Sequence, residues 1–466
     1  MSVIKSIIES LAAVLGCLAA AMTIPLFFRL HWPAAVLWMI KLFASALSPV
    51  FAIIGLLSLA VGLTTGSVFI DLIGIYVVLA FCIHISTVTR PPDDSSGFEL
   101  AYGPDWEDRI QPEQKVHFLT RRRTLILPAV PEPRLEQNIA FSTIPGSSRQ
   151  LLCDIWQPPE NIAPSGLSFI YLHGSAFYLL DKDFCTRPFF RHLAAQGHVI
   201  MDVAYRLSPE TDMMGMVHDV KQAIAWMKEN GGTYGANPDR IVVGGGSAGG
   251  HLALLAAYSS NNPWFTPREL EGKDIGVCAV VSLYGTSDLE ALYYHTNQQL
   301  STPVPDRPQK AVPVRMPGWM IKAMGKSYYR LGMNKGFENA GALAPLLGGH
   351  PDECPETYAL FSPGTHIHPG CPPTLLVHGE HDVMAPVEST RFLHTSLVGE
   401  KVLSVMHILP QTDHAFDLIL PKISPSAHNA IYDVERFLAL SRSPIFSNFN
   451  QCQHSSKTGS PVSPAM

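Results

Sequence analysis

Three long apolar runs occupy the beginning of the chain. They are Ser10–Phe28, Leu42–Gly62 and Leu72–Ile85, and the first two contain no charged side chain. A membrane-spanning helix needs about 20 apolar residues, a length that the third run reaches if Asp71 lies at its edge. The pattern predicts three transmembrane helices. The alternatives are one or two spans, or a secretory signal peptide in place of the first span, since Lys5 precedes the first run.

Positive charges flank these runs unevenly. With three spans, Arg29, Lys41 and Arg90 lie on one side of the membrane and Lys5 lies on the other. The loops that face the cytosol carry the excess of lysine and arginine in membrane proteins. We therefore predict that the rest of the chain, which follows Arg90, faces the cytosol.

From residue 138 onward, short β-branched runs alternate with amphipathic segments. The first two runs, Ile139–Thr143 and Leu151–Trp156, flank a Pro-Gly-Ser-Ser turn and predict a β-hairpin. The later predicted strands are Leu167–Leu172, Val199–Tyr205, Arg240–Gly244, Val277–Leu283, Thr374–Val377 and Leu403–Leu409. The predicted helices are Pro188–Gln196, Met213–Glu229, Ala248–Ser259, Val387–Leu397 and Ala427–Leu440. This alternation predicts an α/β fold with a doubly wound, mostly parallel sheet, whose functional loops follow the carboxyl ends of the strands.

The remaining segments show no clear period. Residues 91–137 are polar and contain prolines, which predicts a connector; its stretch Val116–Val130 could lie on the membrane or on the α/β domain. Within that domain, predicted for residues 138–442, the long segment 290–372 is expected to form a helical cap. Residues 443–466 are rich in serine and proline and are expected to be disordered.

Composition narrows the classes of function. The formal net charge is −6 and only 15% of the residues are charged. Because nucleic-acid binding needs a basic surface, we expect no nucleic-acid partner. The eight cysteines form no Cys-x-x-Cys pair, so the sequence predicts neither a zinc site nor a disulfide framework. The chain has no nucleotide-binding or metalloprotease motif in the required context, and we expect no cofactor and no metal.

A glycine-rich turn follows the predicted strand Arg240–Gly244. It reads Gly245-Gly246-Ser247-Ala248-Gly249 and leads into a predicted helix. A Gly-x-Ser-x-Gly turn between strand and helix is typical of a nucleophilic serine whose hydroxyl is exposed above the sheet. The helix N-terminus beside it stabilises developing negative charge. We predict that Ser247 is a nucleophile.

A second loop follows the strand Leu167–Leu172 and begins His173-Gly174-Ser175-Ala176. Acyl transfer needs N–H donors that point at the oxyanion of the tetrahedral intermediate. We predict that the backbone N–H groups of Gly174 and Ser175 supply two of them and that of Ala248 a third. His173 itself is interpreted as a residue that fixes the loop.

Five segments together resemble the hormone-sensitive-lipase-like branch of the α/β-hydrolases. In chain order they read HGSAFY, AYRLSPE, GGSAGGHLAL, HGEHDVMAP and DHAF. The resemblance covers about residues 138–442 and implies an α/β-hydrolase fold with serine esterase activity. Two loops depart from the family pattern. Ser175 and Ala176 replace the last two glycines of the usual His-Gly-Gly-Gly, and Gly246 replaces the usual aspartate before the serine.

The acid and the base of such a triad follow the serine along the chain. The family pattern places the acid at Asp382, with Glu380 as the nearest rival. His414 lies in the loop that follows the predicted strand Leu403–Leu409, where the base of such a triad is expected. His251, close to the serine turn, is interpreted as a packing residue. The predicted triad is therefore Ser247, Asp382 and His414.

Together these features predict a membrane-anchored serine hydrolase that cleaves a small-molecule carboxylic ester through an acyl-enzyme. Two alternatives are acyl transfer to an alcohol and a catalytically silent small-molecule binding protein. The sequence does not decide whether the ester is a lipid, a xenobiotic or a specialised metabolite. Because every motif lies beyond residue 138, we expect the domain to act on soluble esters without residues 1–90. The candidate residues of the cap that line the acyl pocket are Met316, Trp319, Met320, Ile321, Met324 and Tyr328–Tyr329.

Overall fold

The motif-bearing part of the chain folds around one β-sheet. The computed structural model describes residues 2–31, 37–144, 146–300 and 343–441. Within these residues the sheet has eight strands in the order β1-β2-β4-β3-β5-β6-β7-β8. The strands are β1 (Arg134–Thr143), β2 (Gln150–Gln157), β3 (Gly166–Leu172), β4 (Val199–Val203), β5 (Ala236–Gly246), β6 (Ala279–Leu283), β7 (Thr374–Gly379) and β8 (Ser404–Leu409).

The sheet is mostly parallel, as the sequence predicts. β1 and β2 form an antiparallel hairpin, and β2 also pairs antiparallel with β4. All other strand pairs are parallel. β1 begins at Arg134, earlier than the predicted start of the domain at residue 138. The strands of the parallel part are buried on both faces, which is why they appear in the sequence as continuous apolar runs.

Helices cover both faces of the sheet. In β3, Phe169 and Tyr171 belong to one buried cluster, whereas Ile170 and Leu172 belong to the other. The first cluster includes residues of α6 (Arg187–Ala194) and α13 (Pro425–Leu440). The second includes residues of α7 (Met213–Asn230), α8 (Ala248–Tyr258) and α12 (Val387–Gly399). The doubly wound α/β architecture is confirmed.

The predicted cap lies between β6 and β7. Its described parts include the helices α9 (Leu289–Leu300), α10 (Leu343–Leu347) and α11 (Pro355–Phe361). Leu343 and Leu347 are buried in the same cluster as α8. The cap residues that the sequence predicts as pocket lining all fall in residues 301–342, outside the described part of the chain. The predicted disordered tail, residues 443–466, also lies outside the described residues.

The described residues of the N-terminal region form the α-helices α1 (Ser2–Thr23), α2 (Trp38–Ala46), α3 (Ser48–Thr65) and α4 (Val68–Val88). Among these described helices, α1, α3 and α4 are long and apolar enough to span a membrane. The apolar run Leu42–Gly62 is divided between two helices, because the helical conformation breaks at Leu47. Pro49 explains the break, since proline has no N–H and its ring clashes with the carbonyl four residues earlier. α2 is therefore a separate short helix.

The bundle of N-terminal helices has two distinct ends. At one end Lys5 donates a hydrogen bond to the carbonyl of Thr65. At the other end the backbone carbonyls of Val88 and Arg90 each accept a hydrogen bond from Asn429 of α13, at 3.0 Å. The second end therefore rests on the α/β domain.

The predicted connector does not hang free between the helices and the domain. Phe98 begins the short helix α5 (Phe98–Tyr102). Phe98 and Trp106 are buried and stack with their ring centroids 4.5 Å apart. The backbone N–H of Leu119 donates to Glu435 of α13, and that of Leu127 donates to the carbonyl of Lys422. The sequence leaves the position of Val116–Val130 open, and these bonds place part of it on the domain.

Candidate active site

Ser247 sits in a strained turn between β5 and α8. Its backbone has a φ of 53° and a ψ of −122°, a conformation that non-glycine residues adopt rarely. A Cβ at Gly245 or Gly249 would lie 2.2 or 2.0 Å from the carbonyl oxygen of Leu172. Only glycine fits at these two positions, which explains the Gly-x-Ser-x-Gly spacing.

The structure brings the three predicted triad residues together. The Ser247 hydroxyl and Nε2 of His414 are 2.9 Å apart, within hydrogen-bond distance. The other ring nitrogen of His414, Nδ1, lies 2.8 Å from Oδ2 of Asp382. The three side chains come from the loops that follow β5, β7 and β8. The arrangement lets the serine donate to the imidazole and the imidazole donate to the carboxylate.

Asp382 is held by its own loop and by two imidazoles. Its Oδ1 accepts the backbone N–H groups of Met384 and Ala385, at 2.8 and 2.7 Å. Its Oδ2 faces both His414 and His378, the latter at 3.0 Å. Burial alone would raise the pKa of Asp382, but the interactions with the two histidines lower it below its ordinary value. Asp382 is therefore a carboxylate at neutral pH.

Glu380, the rival for the acid, lies elsewhere. Its side chain is 47% exposed and accepts a hydrogen bond from the backbone N–H of Gln411. Asp382 is the carboxylate that meets the imidazole of His414.

We expect kcat/KM to fall as the pH is lowered through a pKa above 6.5. Burial disfavours the protonated ring of His414, but the carboxylates of Asp382, Asp413 and Asp417 raise its pKa above that ordinary value. A protonated His414 cannot accept the proton of Ser247, so activity is lost on the acid side. The pH dependence of kcat/KM for ester hydrolysis measures this fall in activity toward low pH, the acid limb of the profile. A midpoint below 6.5 would contradict the electrostatic environment described for His414.

The predicted oxyanion loop lies beside the nucleophile. A Cβ on Gly174 would lie 3.2 Å from the carbonyl oxygen of Gly246 and 3.4 Å from the Cβ of Ser247. Among the described residues, none accepts a hydrogen bond from the backbone N–H of Gly174, Ser175 or Ala248. These three N–H groups are therefore available to a ligand.

The side chain of Ser175 has a structural role. Its hydroxyl is buried, lies 2.8 Å from the hydroxyl of Tyr205 and accepts the backbone N–H of Phe177. Tyr205 in turn donates to the carbonyl of His173, and its ring stacks on the His173 imidazole. The Ser175 hydroxyl and the two rings thus fix the loop.

Replacing Ser175 with alanine should leave most of the ester turnover intact. The hydroxyl holds the loop, whereas only the backbone N–H is assigned to the oxyanion, so the expected cost is about 1 kcal/mol of stability. Ser175→Gly should also retain activity, because the backbone N–H remains in place. Turnover and melting temperature are measured for both variants. A Ser175→Ala enzyme that is folded but inactive would show that the hydroxyl itself takes part in catalysis.

Two residues beside the base, Tyr284 and Asp417, were not predicted from the sequence. Tyr284, which follows β6, places its ring against the imidazole of His414, with the centroids 4.7 Å apart. Its hydroxyl donates to Asp417, and burial raises the pKa of that carboxyl to about 6. A Cβ at Gly246 would lie 2.7 Å from the Tyr284 hydroxyl. The tyrosine therefore occupies the space of the aspartate that is usual before the serine. Its position at the carboxyl end of a strand is the signal that could have identified it.

His378 is a third residue for which the sequence predicted no role. It is the penultimate residue of β7, it belongs to the quoted segment HGEHDVMAP, and its Nε2 lies 3.0 Å from the same Asp382 oxygen that faces His414. Its Nδ1 lies 2.7 Å from the hydroxyl of Thr390. His251 packs as predicted, with its ring edge-to-face against Phe177 and its Nδ1 3.0 Å from the carbonyl of Thr286.

A cavity of about 50 Å³ opens onto Ser247. Ser247 and His414 form part of its wall, and most of the other lining side chains are apolar. These other residues are Ala176, Phe177, Ala248, Tyr284, Thr286, Leu292, Thr296, Leu343, Met384 and Ala385. Such a pocket suits an apolar group attached to a carbonyl that reaches the serine.

Comparisons with known proteins find esterases. The family model described as BD-FAE matches residues 153–311 and 327–397. Esterase LipQ of Mycobacterium tuberculosis is 30% identical over 340 residues, which cover 72% of this chain and 71% of LipQ. The probable carboxylic ester hydrolase LipM of the same organism is 32% identical over 288 residues, covering 61% of this chain and 57% of LipM. The solved structure of esterase B from Lactobacillus Rhamnosis (HN001) aligns with a TM-score of 0.48 and 17% identity, covering 70% of this chain and 90% of that one.

Proposed function

The chain belongs to the hormone-sensitive-lipase-like esterases of the α/β-hydrolase fold and hydrolyses carboxylic esters, and we propose that it does so through an acyl-enzyme on Ser247. The observation that carries this proposal is the continuous line of hydrogen bonds from Ser247 through His414 to Asp382. A serine is a weak nucleophile at neutral pH, and an adjacent oriented base activates it.

The proposed reaction has two halves. His414 accepts the Ser247 proton while the serine oxygen attacks the ester carbonyl, and the N–H groups of Gly174, Ser175 and Ala248 stabilise the resulting oxyanion. The intermediate collapses as His414 returns the proton to the departing alcohol, which leaves an acyl group on Ser247. Water, deprotonated by His414, then attacks the acyl-enzyme and releases the carboxylic acid and the free serine.

Labelling with a fluorophosphonate probe, followed by a panel of esters, tests the proposal. The probe phosphonylates an activated serine, so the wild-type protein should be labelled and Ser247→Ala should not. Equal labelling of the variant would place the nucleophile elsewhere. In the ester panel, the apolar side chains of Phe177, Leu292 and Met384 in the cavity favour an apolar acyl group. A preference for charged acyl groups would contradict this assignment of the pocket.

The proposal extends to a membrane anchor of three spans. Most of the exposed large side chains of α1, α3 and α4 are apolar, which suits a lipid environment better than water. Among them are Ile7, Leu11, Val14, Leu18, Ile53, Leu56, Leu57, Leu63, Phe69, Leu72, Leu79 and Ile83. Arg29, Lys41 and Arg90 belong to the end of the bundle that rests on the α/β domain, and Lys5 to the opposite end. This charge distribution supports a cytosolic position for Ser247.

Protease treatment of sealed microsomes should digest the α/β domain without detergent. A domain on the cytosolic face of such vesicles is accessible, whereas a lumenal domain is protected. The fragment that remains is detected with a tag on the N-terminus, and a lumenal marker protein serves as the control for sealed vesicles. Full protection of the domain until detergent is added would reverse the proposed orientation.

A further inference from the structure

The short helix α2 carries a lysine into the α/β domain. The side chain of Lys41 is only 1% exposed. Its Nζ lies 3.2 Å from Oδ2 of Asp413, 3.1 Å from Nδ1 of His381 and 3.1 Å from the carbonyl oxygen of Phe28. Asp413 precedes the base His414, and His381 precedes Asp382. One ammonium group of the N-terminal region therefore contacts both the acid loop and the base loop.

Asp413 joins these two loops. Its Oδ1 accepts the backbone N–H of Val383 in the acid loop, at 3.0 Å, and that of His414 in its own loop, at 2.9 Å. Its Oδ2 faces Lys41. The Asp413 carboxylate thus holds both the backbone of the base and the loop of the acid. The ammonium group of Lys41, on α2, balances its charge.

Two more contacts reach the same loops from the N-terminal region. Arg29 donates to the carbonyl oxygen of Glu380 at 2.9 Å. Nδ1 of His84, on α4, lies 3.0 Å from the side-chain oxygen of Gln411. The N-terminal helices therefore contact the acid and base loops at several points.

We propose that Lys41 is a positioning residue for catalysis, which through Asp413 holds the acid and base loops in the geometry that the triad requires. The proposal rests on the catalytic roles proposed for Asp382 and His414. It makes the N-terminal region part of the active-site architecture as well as an anchor. It also reverses the expectation that the domain works unchanged on soluble esters without residues 1–90.

The pKa shifts of Lys41 and Asp413 support an ion pair in which each charge stabilises the other. Burial lowers the pKa of Lys41, and the Asp413 carboxylate partly opposes this shift; Arg29 and Asp382 also face the ammonium group. Burial raises the pKa of Asp413, and Lys41 partly opposes that shift. Removing either partner leaves a buried charge without compensation.

The neutral ring of His381 accepts a hydrogen bond from Lys41. Burial and the positive charges of Lys41 and Arg29 lower the pKa of His381 to about 3. At neutral pH the ring is therefore uncharged, and its Nδ1 can accept a hydrogen bond from the ammonium group. Lys41 donates in this way to the residue directly before the catalytic acid.

The test replaces Lys41 with methionine in the full-length protein in detergent, assayed on a soluble ester. We expect kcat to fall by about 10- to 100-fold with little change in KM, because loops displaced by a fraction of an ångström misalign the triad without altering the pocket. His414 is faced by Asp382, Asp413, Asp417 and the Tyr284 ring. With Lys41 gone, the Asp413 charge is no longer balanced, so the acid limb of kcat/KM should move to higher pH.

A second substitution separates positioning from general damage. In the Lys41→Met background, Asp413→Asn removes the unbalanced charge, while its side-chain oxygen can still accept both backbone N–H groups. The double variant should recover part of kcat and return the acid limb toward that of the wild type. The matched control is Arg122→Met, which removes the cation beside the fully buried Asp433 at 2.7 Å, away from the catalytic loops. The control should lose stability and keep kcat.

The outcomes are distinct. A Lys41→Met protein with normal kcat and an unshifted acid limb, altered only in melting temperature, would overturn the proposal. An equal loss of kcat in Arg122→Met would do the same. If Lys41→Met does not fold, Asp413→Asn alone is measured, with a lower kcat and an acid limb at lower pH expected and wild-type values for both contradicting the proposal. Ser247→Ala in the same preparation reports separately on the proposed function, because only failure of that function would leave it active.

Discussion

Replacing Ser247 with alanine is expected to lower the turnover of a carboxylic ester by about 10³- to 10⁶-fold. The variant loses the oxygen that forms the acyl-enzyme, and the N–H donors around Gly174 and Ala248 supply only the residual acceleration of the oxyanion site. His414→Ala should cause a loss of similar size. The double variant should be little worse than either single variant, because members of a triad act as a unit. Initial rates on a soluble ester measure all three.

Ser168→Ala is a suitable matched control for this experiment. Ser168 is fully buried in β3, and its hydroxyl makes no hydrogen bond within the described part of the chain. The control should keep wild-type turnover and a similar melting temperature. Near-normal turnover in a folded Ser247→Ala protein would remove the serine from the mechanism.

The sheet was predictable because each of its strands has a recognisable local sequence pattern. The parallel strands are buried on both faces and separated by amphipathic helices, so each appears as a short apolar run between breaks. β3 is an example: residues 167–172 are fully or almost fully buried, and they are predicted as a strand to within one residue. The turn around Ser247 was predictable for a related reason, since the close approach to Leu172 excludes every residue except glycine at two fixed positions.

No local sequence pattern indicates the role of Lys41. In the sequence it is one of several positive charges next to an apolar run, which is the ordinary signature of a cytosolic loop. Its burial depends on Asp413, which lies at the other end of the chain and is brought close only by the complete fold. The helix break at Leu47, which separates α2 from the long apolar helix α3, was also not predictable, because the residues on both sides of the break are apolar.

Tyr284 and Asp417 show the same limit near the nucleophile. Gly246 departs from the family pattern, and the sequence indicates only that a carboxylate is missing there. The structure shows that the Tyr284 hydroxyl fills the space and pairs with Asp417 from a different loop. A substitution at one position is accommodated by residues distant in sequence, so the family pattern alone could not predict it.

Asp382→Asn is expected to lower kcat by about 10⁴-fold, because it imposes the wrong tautomer on the base. Oδ1 of Asp382 accepts two backbone N–H groups, so the oxygen of an asparagine must take that position. The amide nitrogen then occupies the place of Oδ2 and donates to Nδ1 of His414. The imidazole proton moves to Nε2, which can no longer accept the proton of Ser247.

The matched comparison is Glu380→Gln, whose half-exposed side chain can still accept the backbone N–H of Gln411 and should leave kcat nearly unchanged. The residual activity of Asp382→Asn should also show an acid limb at lower pH, because the carboxylate that raises the pKa of His414 is gone. The two changes separate the assignment of the acid from a general loss of negative charge in the loop. If Glu380→Gln is the more damaging substitution, the acid is Glu380, and the hydrogen bond between Asp382 and His414 is structural.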